Sequence, residues 1–224
     1  MRIGALISGG KDGWYAAYKA ARKDELACLI AVKSRNQHSY MFHTPNIDLV
    51  KLQGKAAELP LVWWETEGIK EEELEDLKQA IEIARRKYKI EGLVSGAIRS
   101  SYQKQRVDNI CRELRIEPIA PLWQANEEIY LNELIKNFNV IISGVAAEGL
   151  KKELLGTRIG LTFIDRMKSL NVNPVGEGGE IETLVLDCPL FKKRLVVEEA
   201  ERKMDSEHSG TYIIRKARVE DKQN

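Results

Sequence analysis

The sequence is poor in cysteine, histidine and aromatic residues. Its 224 residues include three cysteines, three histidines and 7% aromatic residues. Cys28, Cys111 and Cys188 lie far apart and show no Cys-x-x-Cys spacing. This odd, unpaired count argues against structural zinc and indicates a reducing cytoplasmic compartment. Cys28 in an apolar segment and Cys111 on an apolar helical stripe are expected to pack in the core.

Net charge and long apolar runs are also lacking. Thirty-five basic and 34 acidic residues leave a formal net charge of +1. No global field therefore attracts the chain to nucleic acid or to a membrane, and neither is expected as a partner. No run approaches the roughly 20 apolar residues of a membrane helix. No signal peptide is expected, because the first apolar residues lead directly into a glycine loop.

That glycine loop follows the first apolar segment. The run Ile3–Ile7 is typical of a buried parallel strand, and it ends at Ser8-Gly9-Gly10. A helix is predicted from about Lys11. Glycines permit φ > 0 and a close approach of backbone to ligand, and the helix N-terminus favours an anion. The loop is therefore a candidate phosphate site, although a turn without any ligand would need the same glycines.

The segment Ser8-Gly9-Gly10-Lys11-Asp12 resembles the Ser-Gly-Gly-x-Asp-Ser loop of the PP-loop ATP pyrophosphatases. The resemblance favours nucleotide binding over a bare turn. The family's last serine is Gly13 here, and a lost hydrogen bond of about 1 kcal/mol predicts a several-fold weaker affinity. Asp12 is a candidate Mg²⁺ ligand or loop-orienting group, and it also suits a helix N-terminus structurally.

Strands and helices alternate through the first half of the chain. Strands are predicted near residues 26–32, 61–64, 92–97 and 117–121, with helices at 47–58, 70–88 and 99–115 between them. This alternation predicts a doubly wound parallel sheet, with ligands at the carboxyl ends of its strands. The turn Ser95-Gly96-Ala97 lies at such an end, as Ser8–Gly10 does. Both turns are expected to meet at one crevice, with Gln103 and Arg106 nearby on the next helix.

The pattern changes after Pro121. A helix at 126–137, a strand at 140–144 and a helix at 160–170 precede a glycine loop that runs into another strand. Residues 194–202 and 211–219 are predicted to be antiparallel strands. We therefore predict a PP-loop ATP-binding domain over residues 1–121 and a smaller α+β domain over 122–224. The boundary can also be set as late as residue 150.

A second motif lies in the later glycine loop, Gly176-Glu177-Gly178-Gly179-Glu180-Ile181-Glu182-Thr183. It brings three carboxylates close together around flexible backbone. If the segment is a strand, Glu180 and Glu182 project from the same face and suit a cation such as Mg²⁺ or an organic ammonium. A glycine turn with solvated acids would explain the motif equally well.

Four segments together resemble the diphthine–ammonia ligases, the diphthamide-biosynthesis family of ATP-binding PP-loop proteins. They are Ser8–Asp12, Ser95–Ile98 with Tyr102, Gln103, Arg106 and Val107, then Pro121–Trp123 and Gly176–Thr183. The resemblance spans essentially the whole chain, and the last motif is much more specific than the first. It implies a HUP-type ATP-binding domain and a second domain that shapes the protein-substrate site. It further implies ATP-dependent amidation of diphthine, a modified histidine of translation elongation factor 2.

The chemistry fits that implication. Adenylation of a carboxylate, with release of pyrophosphate, creates a mixed anhydride that ammonia can attack, and the protein mainly supplies positioning and charge stabilisation. No cysteine is placed for nucleophilic work, and residue 2 is arginine, so free ammonia is the expected nitrogen source. Diphthine's quaternary ammonium suits Glu180, Glu182 and an aromatic such as Trp123, which can equally be plain core.

The expected site thus has three parts. Asp12, Glu180 and Glu182 are the candidate catalytic residues, and Asp12 is the candidate metal ligand. The cofactors expected are ATP and Mg²⁺, on Ser8, Gly9, Gly10, Lys11, Asp12, Gly13, Ser95, Gly96, Ala97, Gln103 and Arg106. The substrate is expected on His43, Trp123, Glu177, Gly178, Gly179, Glu180, Glu182 and Thr183.

Two alternatives remain open from the sequence. The first is a PP-loop enzyme that acts on tRNA, which a local basic patch at Arg99, Lys104 and Arg106 would serve. The second is a non-catalytic nucleotide sensor, with Gly13 as the sign of a weakened loop. Oligomeric state is also left open, and a homo-oligomer is compatible with the sequence.

Overall fold

The alternating segments of the first half form a parallel sheet. Within residues 1–36, 45–69 and 72–222, which the computed structural model describes, this sheet has five strands. They are β1 (Arg2–Leu6), β2 (Glu25–Ser34), β3 (Leu61–Thr66), β4 (Gly92–Val94) and β5 (Glu117–Ile119). They pair in the order β3-β2-β1-β4-β5, all parallel. The order reverses direction between β1 and β4, which is where an open α/β sheet forms its ligand crevice.

Helices cover both faces of the parallel sheet. The helices α1 (Lys11–Ala20) and α2 (Val50–Ala57) pack on one face, and α3 (Glu72–Tyr88) and α4 (Ser101–Leu114) pack on the other. Alternate residues of β2 enter the two cores: Leu29 lies with α1 and α2, and Ile30 lies with α3 and α4. Burial on both sides explains why this strand is a continuous apolar run. The predicted doubly wound class is confirmed.

The second half forms an antiparallel sheet with two helices. Its elements among the described residues are α5 (Glu127–Asn137), β6 (Asn139–Ala146), α6 (Leu161–Ser169), β7 (Ile181–Asp187), β8 (Lys193–Met204) and β9 (Ser209–Asp221). The strands pair in the order β7-β6-β9-β8. The predicted smaller α+β part is therefore present.

The apolar core of the α1 and α2 face continues into the second sheet. Trp14 of α1 meets Phe191 edge-on, with ring centroids 4.7 Å apart. Leu131 of α5 and Val185 of β7 belong to the same buried cluster. The domain boundary after residue 121 stays a prediction, but the packing of the two parts is shared across it.

Two predicted elements have different ends in the structure. The fourth strand stops at Val94 rather than at residue 97, because Ser95 and Gly96 turn out of the sheet into the crevice. The helix predicted at 47–58 begins with a 3-10 turn, Ile47–Leu49. Just before it, the Asn46 side chain pairs with the edge of β9, where it donates to the Tyr212 carbonyl and accepts from the Ile214 amide. Among the described helices, none is long and apolar enough to cross a membrane.

Candidate functional site

A cavity of about 430 Å³ lies at the carboxyl ends of β1 and β4, a size typical of small-ligand sites. The structure brings the two predicted turns together there, and the second motif forms another part of the same wall. Among the predicted site residues, those that line it are Ser8, Gly10, Lys11, Asp12, Gly13, Ser95, Gly96, Ala97, Gln103, Glu177, Gly179, Glu182 and Thr183.

The strand-to-helix loop is held from behind by the second sheet. Gly9 has φ of +97°, a conformation for which glycine is suited. Its carbonyl accepts from the Val185 amide at 3.0 Å and from the Gln53 side chain at 3.0 Å. Gln53 is fully buried and also donates to the Val185 carbonyl. Gly9 therefore anchors the loop to β7 and does not line the cavity, where its neighbour Gly10 does.

The first turn of α1 receives its cap from the second sheet. Gly10 stands at the N-cap and has no side chain to accept a hydrogen bond. Thr183 of β7 takes that role, since its Oγ1 accepts from the Lys11 amide at 3.1 Å. Thr183 borders the cavity and also supports the loop, and the predicted contact with substrate stays a prediction. The amides that follow in this first turn have no intrahelical acceptor and suit an anion.

Steric crowding explains why position 13 is occupied by glycine. A Cβ there would lie 2.9 Å from the Leu6 carbonyl oxygen, so the serine usual in PP-loop enzymes would not fit without a backbone shift. Gly96 lies against the same turn. A Cβ added at Gly96 would lie 2.7 Å from both the Asp12 carbonyl carbon and the Gly13 nitrogen. The two strand ends thus approach each other backbone to backbone.

We expect Gly96→Ala to disturb the loop. No flexible side chain can yield to the new methyl group, since its closest contacts are backbone atoms of Asp12 and Gly13. Calorimetry should show at least tenfold weaker ATP binding, and the melting temperature should fall. Gly160→Ala is the matched control, because its Cβ would meet nothing within 4 Å. Equal ATP affinities in the two variants would contradict this close approach.

The carboxylate of Asp12 is held by two donors. Lys11, which is only 3% exposed, places its Nζ 2.9 and 3.0 Å from the two oxygens of Asp12. The buried hydroxyl of Tyr130, on α5, donates to Oδ1 at 2.7 Å. Asp12 itself remains about one third exposed toward the cavity. Its carboxylate is therefore fixed in direction and still open to a ligand.

Two further carboxylates in the cavity carry raised pKa values. Burial raises the pKa of Glu182 to about 7, and the negative charge of Asp12 adds to this while Lys11 opposes it. Burial also raises the pKa of Glu177, and Asp12 adds to that shift too. The carboxylate of Glu177 accepts from the Arg99 amide at 3.2 Å, which ties the second motif to the turn after β4. A cation bound in this cavity would offset the repulsion among the three acids.

Those acids do not form a complete protein cage for a metal. In the part of the chain that is described, no three acidic, histidine or cysteine side chains converge as a metal ion requires. Mg²⁺ bound with nucleotide needs only one or two carboxylates, with phosphate oxygens and water as its other ligands. Asp12 fits that need, because its partly exposed side chain lines the cavity beside the predicted phosphate loop.

Several predicted residues lie away from the cavity. Glu180 precedes β7 and folds back to accept from the Gly178 amide at 2.9 Å, so neither of them lines the cavity beside Glu182. Trp123 lies with Arg99 and Gln124 at a separate hollow, and Lys104 approaches its ring. Arg106 stacks on Tyr102, 3.4 Å from the ring centroid. The predicted residue His43 lies outside the described residues.

Two supporting residues escaped the sequence analysis. Gln53 occupies a buried position of α2 together with Val50, Gly54 and Ala57. A lone amide on such a helical face was a usable signal of a buried backbone contact. Tyr130 gave no such signal, because a tyrosine on the apolar stripe of a helix is typical of ordinary core.

Two family models match the chain. The model of the diphthamide synthase N-terminal domain matches residues 1–118, and that of the C-terminal domain matches residues 126–219. Curated proteins named diphthine–ammonia ligase are similar along most of the chain. The Mus musculus protein is 38% identical, over 92% of this chain and 86% of its own length. The Homo sapiens protein is 36% identical, over 90% of this chain and 84% of its own length. The Danio rerio protein is 32% identical over 99% and 98%.

One solved structure is also similar, a predicted subunit of tRNA methyltransferase from Methanocaldococcus jannaschii. The TM-score is 0.46 at 18% identity, over 84% of this chain and 98% of the other. This likeness is too distant to bear on substrate or reaction.

Proposed function

The chain belongs to the diphthamide synthase family, and from that membership we propose that it is an ATP-dependent ligase that converts diphthine on translation elongation factor 2 to diphthamide with ammonia. One observation links this function to particular residues. The strand-to-helix loop that suits phosphate and the start of β7, which includes Glu182, line the same cavity. A nucleotide and an acyl group can therefore meet there. The N-terminal part would hold ATP, and the second part would shape the protein-substrate side.

The proposed reaction has two steps. The diphthine carboxylate attacks the α-phosphorus of ATP, so that an acyl-adenylate forms and pyrophosphate leaves. Ammonia then attacks the acyl carbon, the bond to AMP breaks, and the nitrogen loses a proton as the amide forms. Glu182 is suited to take that proton, because a half-buried carboxylate with a pKa of about 7 accepts protons near neutral pH.

The residues of the cradle would divide the binding work. The first-turn amides of α1, together with Ser8 and Gly10, would hold phosphate, and the Ser95–Ala97 turn would face the nucleoside side. Asp12 would hold Mg²⁺, which when bound with ATP neutralises charge on the pyrophosphate leaving group. Lys11 would remain paired with both oxygens of Asp12 and keep its carboxylate oriented.

The protein substrate would approach from the side of the second motif. Glu177 and Glu182, which line the cavity, would supply negative charge near the trimethylammonium group of diphthine, and Trp123 at the neighbouring hollow would offer an aromatic face. Glu177 accepts from the Arg99 amide, and Arg99 also borders the hollow, so the two depressions are adjacent. Glu180 would act as a brace for the glycine loop rather than as a catalyst.

A direct assay tests this function. The purified chain is incubated with ATP, Mg²⁺, ammonium and an elongation factor 2 that bears diphthine. Mass spectrometry should show amidation of the modified histidine, with one pyrophosphate released per amide formed. Omission of ammonium should stop amide formation. Pyrophosphate release that needs tRNA instead of the factor would support the alternative tRNA enzyme, and ATP binding without any turnover would support a nucleotide sensor.

A further inference from the structure

Tyr130 connects the second half of the chain to the nucleotide loop. It lies in the first half of α5 and is 2% exposed. Its hydroxyl reaches 118 residues back along the sequence to Oδ1 of Asp12, at 2.7 Å. The hydroxyl is buried and donates to the carboxylate, which is an acceptor-only group in this bond.

The contact limits how Asp12 can turn. Both of its oxygens accept from Lys11, and only Oδ1 also accepts from Tyr130. A rotation of the Asp12 carboxylate that moved Oδ1 away from Tyr130 would leave the buried hydroxyl without an acceptor. An unsatisfied buried donor costs free energy of folding. Lys11 sits on the same first turn of α1 and would move with it. Tyr130 is fixed to a different helix and so gives Asp12 an independent point of reference.

We propose that Tyr130 is a positioning residue that orients the Asp12 carboxylate toward the cavity. This inference rests on the proposed function for the reaction, but the geometric role concerns nucleotide binding in any PP-loop chemistry. It also gives a physical reason for the two halves to act together. Thr183 caps the helix that follows the phosphate loop, and Tyr130 orients the side chain of Asp12. Both Thr183 and Tyr130 belong to the second half of the chain.

Tyr15 provides an unusually close control. It is also 2% exposed, and its ring lies 4.6 Å from that of Tyr130. Its hydroxyl donates to a carboxylate as well, that of Glu133 at 2.5 Å. Neither Tyr15 nor Glu133 lines the cavity. Tyr130→Phe and Tyr15→Phe thus remove the same group from one aromatic cluster, and only the first removes a bond to Asp12.

The test compares these two variants by calorimetry and kinetics, at a temperature where both retain native circular-dichroism spectra. Tyr130→Phe should weaken ATP binding about fivefold with Mg²⁺ present and leave it unchanged with a chelator. It should also lower kcat for diphthamide formation about tenfold. Tyr15→Phe should stay within twofold of the parent in all three quantities, although both variants should lose similar thermal stability.

A double-mutant cycle separates positioning from general loosening of the fold. If Tyr130 acts through Asp12, Tyr130→Phe should have no further effect on Mg²⁺-dependent ATP affinity in an Asp12→Asn background. Additive losses, or equal losses in the two tyrosine variants, would overturn the positioning role. Should the parent chain make no diphthamide while the calorimetric pattern holds, the proposed function fails and the role of Tyr130 stands.

Discussion

Asp12→Asn is expected to lower kcat/KM for diphthamide formation about 10²–10³-fold, the usual loss when one preorganised electrostatic group is removed from a reaction site. The change keeps the volume of the side chain and removes its charge. It would deprive Mg²⁺ of its proposed protein ligand, and it would leave the buried ammonium of Lys11 without its anion. The measurement is steady-state conversion of the modified factor, with calorimetry of ATP binding in the presence and absence of Mg²⁺.

Stability needs a separate measurement in this variant, because an unpaired buried charge destabilises a protein. Asp12→Glu keeps the charge for Lys11 but moves the carboxylate, so it should fold normally and still lose most of its activity. Asp187→Asn is the matched control, since Asp187 is also partly exposed and paired with a lysine, Lys222, at 2.7 Å. Activity near the parent level in Asp12→Asn and Asp12→Glu would return Asp12 to a purely structural role.

The parallel sheet was predictable because its signals are local. The strands β1 to β4 contain short apolar runs, and the helices between them have apolar stripes such as Leu77, Ile81 and Ala84. The connection rules of α/β folds then determine which strand ends meet. The convergence of Ser8–Gly10 and Ser95–Ala97 on one cavity followed from those rules, without any information from the second half of the chain.

The contacts that support the site were not predictable, because they join residues that are far apart in the sequence. The Lys11 amide donates to Thr183, and the Tyr130 hydroxyl donates to Asp12, so these bonds join residues 172 and 118 positions apart. No periodicity encodes such a pairing, because it depends on how the second sheet packs on α1. The alternation of side chains along a strand also predicted that Glu180 and Glu182 share one face, which the structure does not show. Glu180 lies before β7 begins, and its carboxylate turns back to the Gly178 amide.

Glu182→Gln is the second change expected to have a large effect, and it should move stability and activity in opposite directions. Burial raises the pKa of Glu182 to about 7 from an ordinary 4.5, so the folded chain binds this proton more tightly than the unfolded chain. The free energy of unfolding should therefore fall as the pH rises from about 4.5 to 7, by about 2–3 kcal/mol from this group. Glutamine carries no such charge penalty. The variant should melt higher than the parent at pH 8 and similarly at pH 4.5.

Activity should respond in the reverse sense because the proposed role of Glu182 needs its charged form. The parent rate should rise with pH through about 7, measured at constant free ammonia so that the nucleophile's own titration does not contribute. Glu182→Gln should lose this rise and lower kcat/KM at pH 8 at least tenfold. Glu180→Gln is the matched control two residues away, and its carboxylate does not line the cavity, so its melting and its pH profile should follow the parent. A parent-like pH profile in Glu182→Gln would exclude this carboxylate as the proton acceptor, and unchanged melting at pH 8 would contradict its burial as a charged group. Both results together would leave β7 with the single task of holding the phosphate loop through Thr183 and Val185.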